Sequence, residues 1–429
     1  MAFPLTPFMN AEIIAIGSEL LTPHRNDTNS LYLTEQLNRL GVDVVYKTIV
    51  GDHRARLTET LALVLRRSDL ILTIGGLGPT EDDLTRECAA AVLERPMHSD
   101  PSIAEGIAAR FRARGLRMAE INLRQAMVIE GGVVLPNPTG TAPGQWIEDR
   151  GKILVLLPGP PRELKPMFEQ SVLPRLREKV PPAAIRTHGL RLTGLTESAA
   201  EEIAAPIYTR YTNPVTTILA APGEIQLHLK SFGKDESEAQ ARLDELSPQL
   251  EAALAEYIFS TDGASLEEVV GRALQERQAT VAVAESCTGG LLAQRITSVA
   301  GSSEYFLGGV VCYSNAWKTD WLAVSPEDIE THGAVSSVVA RALAERIRRK
   351  AAATLGVGVT GIAGPAGATP AKPVGLVYLA LAGPDGTQVR EQRYMGGRDI
   401  TRWQASQTAL DMIRRWLAAP QTLSSRGAK

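Results

Sequence analysis

The chain of 429 residues carries 45 Lys and Arg against 48 Asp and Glu, a formal net charge of −3 with 22% charged residues. That length exceeds one ordinary hydrophobic core and predicts about three domains. The near-neutral balance excludes the basic footprint of a direct nucleic-acid or anionic-membrane partner. Aromatics are 5% of the residues, so the interior is expected to be aliphatic and alanine-rich. Cys88, Cys287 and Cys312 have no paired spacing, which predicts a reducing compartment without structural disulfides or a cysteine zinc site. Residues 1–10 lack the basic start and long apolar run of a signal peptide, and no stretch reaches bilayer length. A soluble, cytoplasmic protein is the expectation.

The first region alternates strand and helix patterns: strands at 12–17, 42–50 and 70–74, helices at 29–40 and 54–67. This alternation predicts a parallel sheet covered on both faces, with ligands at the carboxyl ends of the strands. Gly17-Ser18-Glu19 and the run from Gly75 lie at such ends. In Gly75-Gly76-Leu77-Gly78-Pro79-Thr80-Glu81-Asp82-Asp83-Leu84-Thr85, three glycines let a backbone approach a phosphate. A helix beginning near Glu81 would turn its free N–H groups toward it. Asp82 and Asp83 are candidate ligands of a divalent cation held against phosphates. The alternative makes Thr80 a helix cap and the acids partners of the helix dipole. Two further turn-rich loops, 137–144 and 157–161, suit a pocket rim or a plain surface.

Pro181-Pro182 marks a boundary. Strands at 189–193, 215–221 and 224–231 and helices at 197–208 and 236–256 then predict a small α+β linking or dimerisation module. His188 and His228 read as ordinary strand residues.

In the last region, a helix at 266–276 leads to a buried strand, 280–284, and then to Glu285-Ser286-Cys287-Thr288-Gly289-Gly290 before a helix at 291–299. The turn holds two candidate nucleophiles, Ser286 and Cys287, with the N–H groups of Cys287, Thr288 and Gly289 as candidate oxyanion donors. The alternative is a helix start capped by Ser286 or Thr288. A strand at 308–313 delivers Tyr313, and Lys318 follows on the next helix. A desolvated lysine can accept a serine proton, and Tyr313 can orient or relay it, whereas His332 has no acid set to orient it. A free Cys287 without a neighbouring histidine stays protonated, so Ser286 is the preferred nucleophile. A strand at 354–360 ends at Thr360 and a glycine-rich loop. After strands at 376–382 and 388–394, Gly396-Gly397-Arg398 opens a final helix, 400–417, that carries Arg402. Arg398 and Arg402 are candidate phosphate contacts, or else surface charges.

Several motifs in order carry a family resemblance. IAIGSELL, DTNS, GGLGPTEDDLT, NPTGTAPG and LPGPPREL resemble the molybdopterin-binding-type domain at the front of the competence/damage-inducible CinA family. AESCTGGLLAQRIT, GGVVCYSNAWKT, GVTGIAGPAGATPAKPVG and GGRDITR resemble that family's nicotinamide mononucleotide (NMN) deamidase domain and its stand-alone amidases of the PncC type. The resemblance implies an α/β architecture in three parts. These are a molybdopterin-binding-like parallel-sheet domain at 10–180, a KH-like α+β linking domain at 181–262 and an α/β amidase domain at 263–418. It implies hydrolysis of the NMN carboxamide with Ser286 as nucleophile, Tyr313 and Lys318 assisting, Thr360 in the pocket and Arg398 reading the phosphate. No cofactor is expected at that site. For the first domain it implies a metal-dependent ADP-ribose pyrophosphatase. Gly75, Gly76, Gly78, Thr80, Asp82 and Asp83 are the matching positions there, with Asp27 and Asn29 on a neighbouring loop. A non-catalytic nucleotide or pterin sensor is the alternative for that domain. The expected partners are small molecules and a second copy of the chain, with neither nucleic acid nor membrane. Two departures, Gly397 where Asp is usual and Ala366 and Ala368 in a loop usually richer in glycine, bear on the phosphate contacts.

Overall fold

The structure, a computed structural model, describes residues 8–419, so most of the leader lies outside the described residues. The chain divides into two compact units. One contains the residues up to Arg186 with Ser231–Arg242, and the other Thr187–Lys230 with the residues from Leu243 on.

The first unit begins β1 (Asn10–Ile16), α1 (Asn29–Arg39), β2 (Asp43–Val50), α2 (Arg54–Arg67), β3 (Leu70–Ile74) and α3 (Thr85–Leu93). It continues with β4 (Met97–Ser99), α4 (Pro101–Ala113), β5 (Met127–Ile129), β6 (Val133–Leu135), β7 (Gly144–Asp149) and β8 (Lys152–Leu157). A helical stretch closes it: α5 (Pro161–Met167), a π-turn at Phe168–Val172 and α6 (Leu173–Lys179). The six-stranded sheet runs β2-β1-β3-β8-β7-β6, while β4 pairs separately with β5. Successive side chains of a strand point to opposite faces. Accordingly Ile13, Leu72 and Val155 pack under α1 and the α5–α6 stretch, while Ile14, Ile71 and Leu154 pack against α2 and α3. The sheet is thus covered on both faces, as the near-continuous apolar strands predict.

Two expectations change here. The sheet is mixed, because Arg150 and Gly151 both adopt positive φ and send the chain straight back, pairing β7 with β8 antiparallel. The helix after the glycine run starts at Thr85 and not near Glu81. The Asp83 carboxylate accepts from both the N–H and the hydroxyl of Thr80, closing residues 80–83 into a turn that withholds them from the helix.

The linking segment contributes β9 (Ala184–Leu192), α7 (Glu197–Tyr208), β10 (Val215–Ala221), β11 (Glu224–Gly233), α8 (Glu236–Leu254) and β12 (Ile258–Ser260), in sheet order β10-β11-β9-β12. Leu190, Leu192, Leu227 and Leu229 meet Leu243, Leu246 and Leu250 of α8.

The remainder is α9 (Leu266–Glu276), β13 (Val281–Glu285), α10 (Leu291–Thr297), β14 (Phe306–Val311), α11 (Asn315–Leu322), α12 (Pro326–His332) and α13 (Ser337–Ala351). Then follow β15 (Leu355–Gly361), β16 (Leu376–Gly383), β17 (Gly386–Arg393) and α14 (Arg398–Ala418). Its sheet order is β14-β13-β15-β16-β17, parallel across the first three strands and antiparallel beyond. Val281 and Val283 face α9 and α14, while Ala282 and Ala284 face the α11–α13 side. Residue 286 therefore leaves a central strand between β14 and β15, at the carboxyl end of all three. No helix among the described residues is long and apolar enough to cross a membrane.

Candidate active sites

In the second unit, the strand-to-helix turn is shaped by a residue that the sequence patterns did not single out. Glu285, fully buried at the end of β13, accepts from the N–H groups of Gly290 at 3.1 Å, Leu292 at 3.0 Å and Ala293 at 2.8 Å. It pairs with no cation among the described residues, so the positive end of α10 is its counter-charge. The first-turn donors of α10 are thus spent on an internal carboxylate, and the capping expected of Ser286 or Thr288 does not occur. Only its acidity set between an apolar strand and two glycines marked Glu285 in the sequence. Glu285→Ala is expected to lower unfolding stability by about 3 kcal/mol, since it removes the acceptor of three helix-start donors, that of Leu292 buried and those of Gly290 and Ala293 half-buried. Chemical denaturation checks this.

Ser286 is 8% exposed, its N–H donates to the Val359 carbonyl of β15 at 2.9 Å, and its hydroxyl has no partner among the described residues. The N–H of Gly289 goes to the Ser286 carbonyl at 3.1 Å, which removes it from the expected oxyanion donors. No oxygen among the described residues accepts the N–H groups of Cys287 and Thr288, which lie near enough to the Cys287 sulfur to favour its thiolate and are the remaining candidates for that role. Burial pushes the Cys287 thiol up to about 12, far from a usable thiolate.

Cys312, directly after β14, donates its N–H to the Glu285 carbonyl at 2.9 Å, which sets its chain beside the 285–287 turn. Lys318 of α11 is 1% exposed, and its Nζ donates to the carbonyls of Cys312 at 3.0 Å and Tyr313 at 3.1 Å. No carboxylate lies within ion-pair distance of it among the described residues. Burial pulls its pKa below the ordinary lysine range, and its charge is felt at the Cys287 sulfur. A neutral amine has two N–H groups and one lone pair. The two carbonyls take the N–H groups and leave the lone pair for a proton.

Tyr313 lies beyond the strand end and is 57% exposed. Its hydroxyl accepts from Arg398 at 3.1 Å, and the same guanidinium donates to the Gly364 carbonyl at 2.9 Å. Arg398 thus ties the 313 and 364 loops together at the N-terminus of α14. Arg402 donates to the Thr288 carbonyl at 2.9 Å, so it braces the nucleophile turn instead of facing outward with Arg398. Thr360 is buried and donates its hydroxyl to the Ala334 carbonyl at 2.8 Å.

The other candidate site is a pocket of about 350 Å³ in the first unit, between the ends of β1, β3 and β8. Gly75, Gly76, Gly78, Thr80, Asp82 and Asp83 all line it. At Gly76, φ is 68°, and a side chain there would collide with the Thr85 hydroxyl, so only glycine fits. Asp27 instead accepts from the N–H and hydroxyl of Ser30 at the start of α1. Asn29 reaches the pocket indirectly, donating to the Gly159 carbonyl at 2.7 Å. Glu19, of the Gly17-Ser18-Glu19 strand end, and two carboxylates not foreseen, Asp52 and Glu163, join Asp82 and Asp83 on the lining, which includes no Lys or Arg among the described residues. The scattered positions of Asp52 and Glu163 in sequence hid them. Arg86, also unforeseen, lies buried and donates to the Leu77 and Pro143 carbonyls, with burial pulling it down to about 10.

A phosphate ligand would meet repulsion from these carboxylates unless a cation intervened. The donor set is all hard oxygen, and the Gln125 side-chain oxygen on the lining is buried without a partner. Those features fit a divalent cation. Among the described residues no three acidic, histidine or cysteine side chains form a preassembled metal cluster.

A family model described as the CinA C-terminal domain matches residues 263–417, one described as a probable molybdopterin binding domain matches 12–178, and one described as the damage-inducible protein CinA KH domain matches 187–260. A CinA-like protein of Koribacter versatilis (strain Ellin345) is 52% identical over 413 residues, spanning 95% of this chain and 100% of the relative. The chain belongs to the CinA family. Further CinA-family relatives include a CinA-like protein of Solibacter usitatus (strain Ellin6076), 50% identical over 407 residues, 95% of this chain and 98% of the relative. A putative competence-damage inducible protein of Symbiobacterium thermophilum is 45% identical over 421 residues, 95% of this chain and 99% of the relative. The CinA C-terminal match contains the whole Ser286–Lys318–Arg398 constellation, and the molybdopterin-binding match contains the acidic pocket.

Proposed function

We propose that the carboxyl-terminal site hydrolyses the carboxamide of NMN to nicotinate mononucleotide and ammonia. The observation that carries this reading is a buried lysine, without an ion-pair partner among the described residues, whose charge reaches the turn that holds Ser286. The hydroxyl of that buried serine has no partner among the described residues. No oxygen among the described residues accepts the N–H groups of Cys287 and Thr288 in that turn. Ser286 Oγ attacks the amide carbon as Lys318 accepts its proton. The N–H groups of Cys287 and Thr288 receive the developing oxyanion. The Lys318 ammonium then protonates the departing nitrogen. Water, losing its proton to the same amine, releases the acid and restores the hydroxyl. Arg398, with donors left after its two bonds, holds the phosphate. Incubating the chain with NMN and following ammonia and nicotinate mononucleotide tests the reading. NMN left intact by excess enzyme would remove it.

For the amino-terminal pocket the proposal is metal-dependent cleavage of the ADP-ribose pyrophosphate. Asp82 and Asp83 would hold the cation, which when bound neutralises the phosphates and activates water. The glycine backbone of 75–78 accommodates the phosphates. A second reading is a nucleotide or pterin sensor without turnover. Phosphate-product release from ADP-ribose with added Mg²⁺ or Mn²⁺ separates the two. Under the enzyme reading, Asp83→Ala is expected to lower the rate at least ~100-fold. ADP-ribose that binds but stays intact would establish the sensor.

A further inference from the structure

A cavity of about 270 Å³ lies within the second unit, between α14, β17, the loop at 193–196 and Gly223, and its lining includes no residue of the Ser286 turn. Its walls are tied together by the Thr193 hydroxyl, which donates to the Gly223 carbonyl at 2.8 Å. Gln407 of α14 lines it and is 2% exposed. The side-chain oxygen of Gln407 accepts from Arg295 at 2.7 Å, which fixes the amide orientation and leaves its Nε2 facing no acceptor. Arg390 of β17 also lines the cavity and has no carboxylate partner among the described residues. Arg415 uses Nε on Asp411 and Nη1 on Glu256, and its Nη2 approaches Gly194 on the cavity wall. Both Asp411 oxygens are engaged, Oδ1 by Arg414 Nε and Nη2 and Oδ2 by Arg415 Nε, so its charge is countered by two guanidinium groups. Among the described residues the Gln404 side-chain oxygen, one turn before Gln407, is buried without a donor, and the Gln392 side-chain amide on the same lining has no hydrogen-bond partner.

We propose that this cavity is a binding site for a small oxyanion-bearing molecule, a phosphate or carboxylate, that also carries one hydroxyl or N–H donor. The unmatched groups of Gln407, Arg390 and Arg415 all donate, and two guanidinium groups, those of Arg390 and Arg415, line the cavity against one carboxylate, that of Asp411. Water, with two lone pairs and no charge, leaves that excess uncompensated, whereas an oxyanion accepts several charge-assisted bonds. Gln404 then receives the ligand's own donor. Through Gln407 the site touches Arg295 of α10, the helix that follows the Ser286 turn.

The test uses the full chain carrying Arg398→Ala, in EDTA, so that neither proposed phosphate site competes. Titration calorimetry with inorganic phosphate and, separately, with malonate is expected to show saturable binding of at least one. Binding of phosphate alone assigns a phosphorylated ligand, and binding of malonate alone a carboxylate. Adding Arg390→Ala or Gln404→Leu is expected to change the outcome differently. The first weakens anion affinity about ten-fold through loss of a charge-assisted bond. The second leaves these simple anions bound, because it removes only the acceptor. With Arg398 intact, neither substitution alters ammonia release from NMN. Crystals soaked in selenate are expected to show an anomalous peak beside Gln407 Nε2. Isotherms that Arg390→Ala leaves unchanged, or a cavity holding only ordered water beside selenate peaks elsewhere, would overturn the assignment. Because binding is read directly, these outcomes do not depend on the amidase chemistry.

Discussion

Ser286→Ala is expected to lower the rate of ammonia release from NMN by at least about 10³-fold, while Cys287→Ala retains activity within a few fold. The contrast follows from the environments of two adjacent residues. The Cys287 thiol, pushed up to about 12 by burial, stays protonated near neutral pH. The serine hydroxyl needs no prior ionisation if a base accepts its proton as the bond forms. Both side chains are small and buried, so either alanine leaves only a modest void, and unchanged thermal unfolding would establish that the fold is intact. Steady-state ammonia assays on the two variants decide the matter. A Ser286→Ala protein near wild-type activity would transfer the chemistry to another group.

Lys318→Met should reduce kcat at least ~10³-fold with a smaller change in KM, because methionine keeps the length of the side chain but cannot accept a proton. The pH profile carries the sign. Only the neutral amine acts as base, so wild-type kcat/KM rises with pH through the pKa of Lys318 and is lost below it. Burial displaces that pKa downward, which brings the rising limb toward neutrality from the ordinary lysine range. Arginine at 318 does not rescue, since it stays protonated at every accessible pH. A profile flat from pH 6 to 9 in the wild type, or a methionine variant with normal kcat, would remove Lys318 from the role of base.

Much of the fold was legible because its elements are locally consistent. The helices Arg54–Arg67, Glu197–Tyr208 and Leu266–Glu276 begin and end where their apolar spacing predicts. The glycine-rich motifs sit at strand ends, as a sheet covered on both faces requires. Where local chemistry competed with periodicity, the reading failed. The turn closed by Asp83 onto Thr80 delays α3, because a side-chain acceptor three residues on offers the backbone an alternative to helix. The Arg150-Gly151 reversal turned an expected parallel sheet into a mixed one.

Sequence by itself determined the order of domains, the family and the residue types at the Ser286 turn, since motifs and periodicities are properties of contiguous residues. Tertiary structure alone decided which groups act together. It gave the carboxylate of Glu285 to α10, drew Arg402 onto the Thr288 carbonyl, buried Lys318 without a counter-ion and gathered Glu19, Asp52 and Glu163 beside Asp82 and Asp83. The physical reason is that desolvation and charge depend on what surrounds a side chain in space. For Arg402 and the pocket carboxylates those neighbours come from segments tens to more than a hundred residues away. For Glu285 and Lys318, whose bonded partners are close in sequence, it is burial by the rest of the fold that no local pattern encodes.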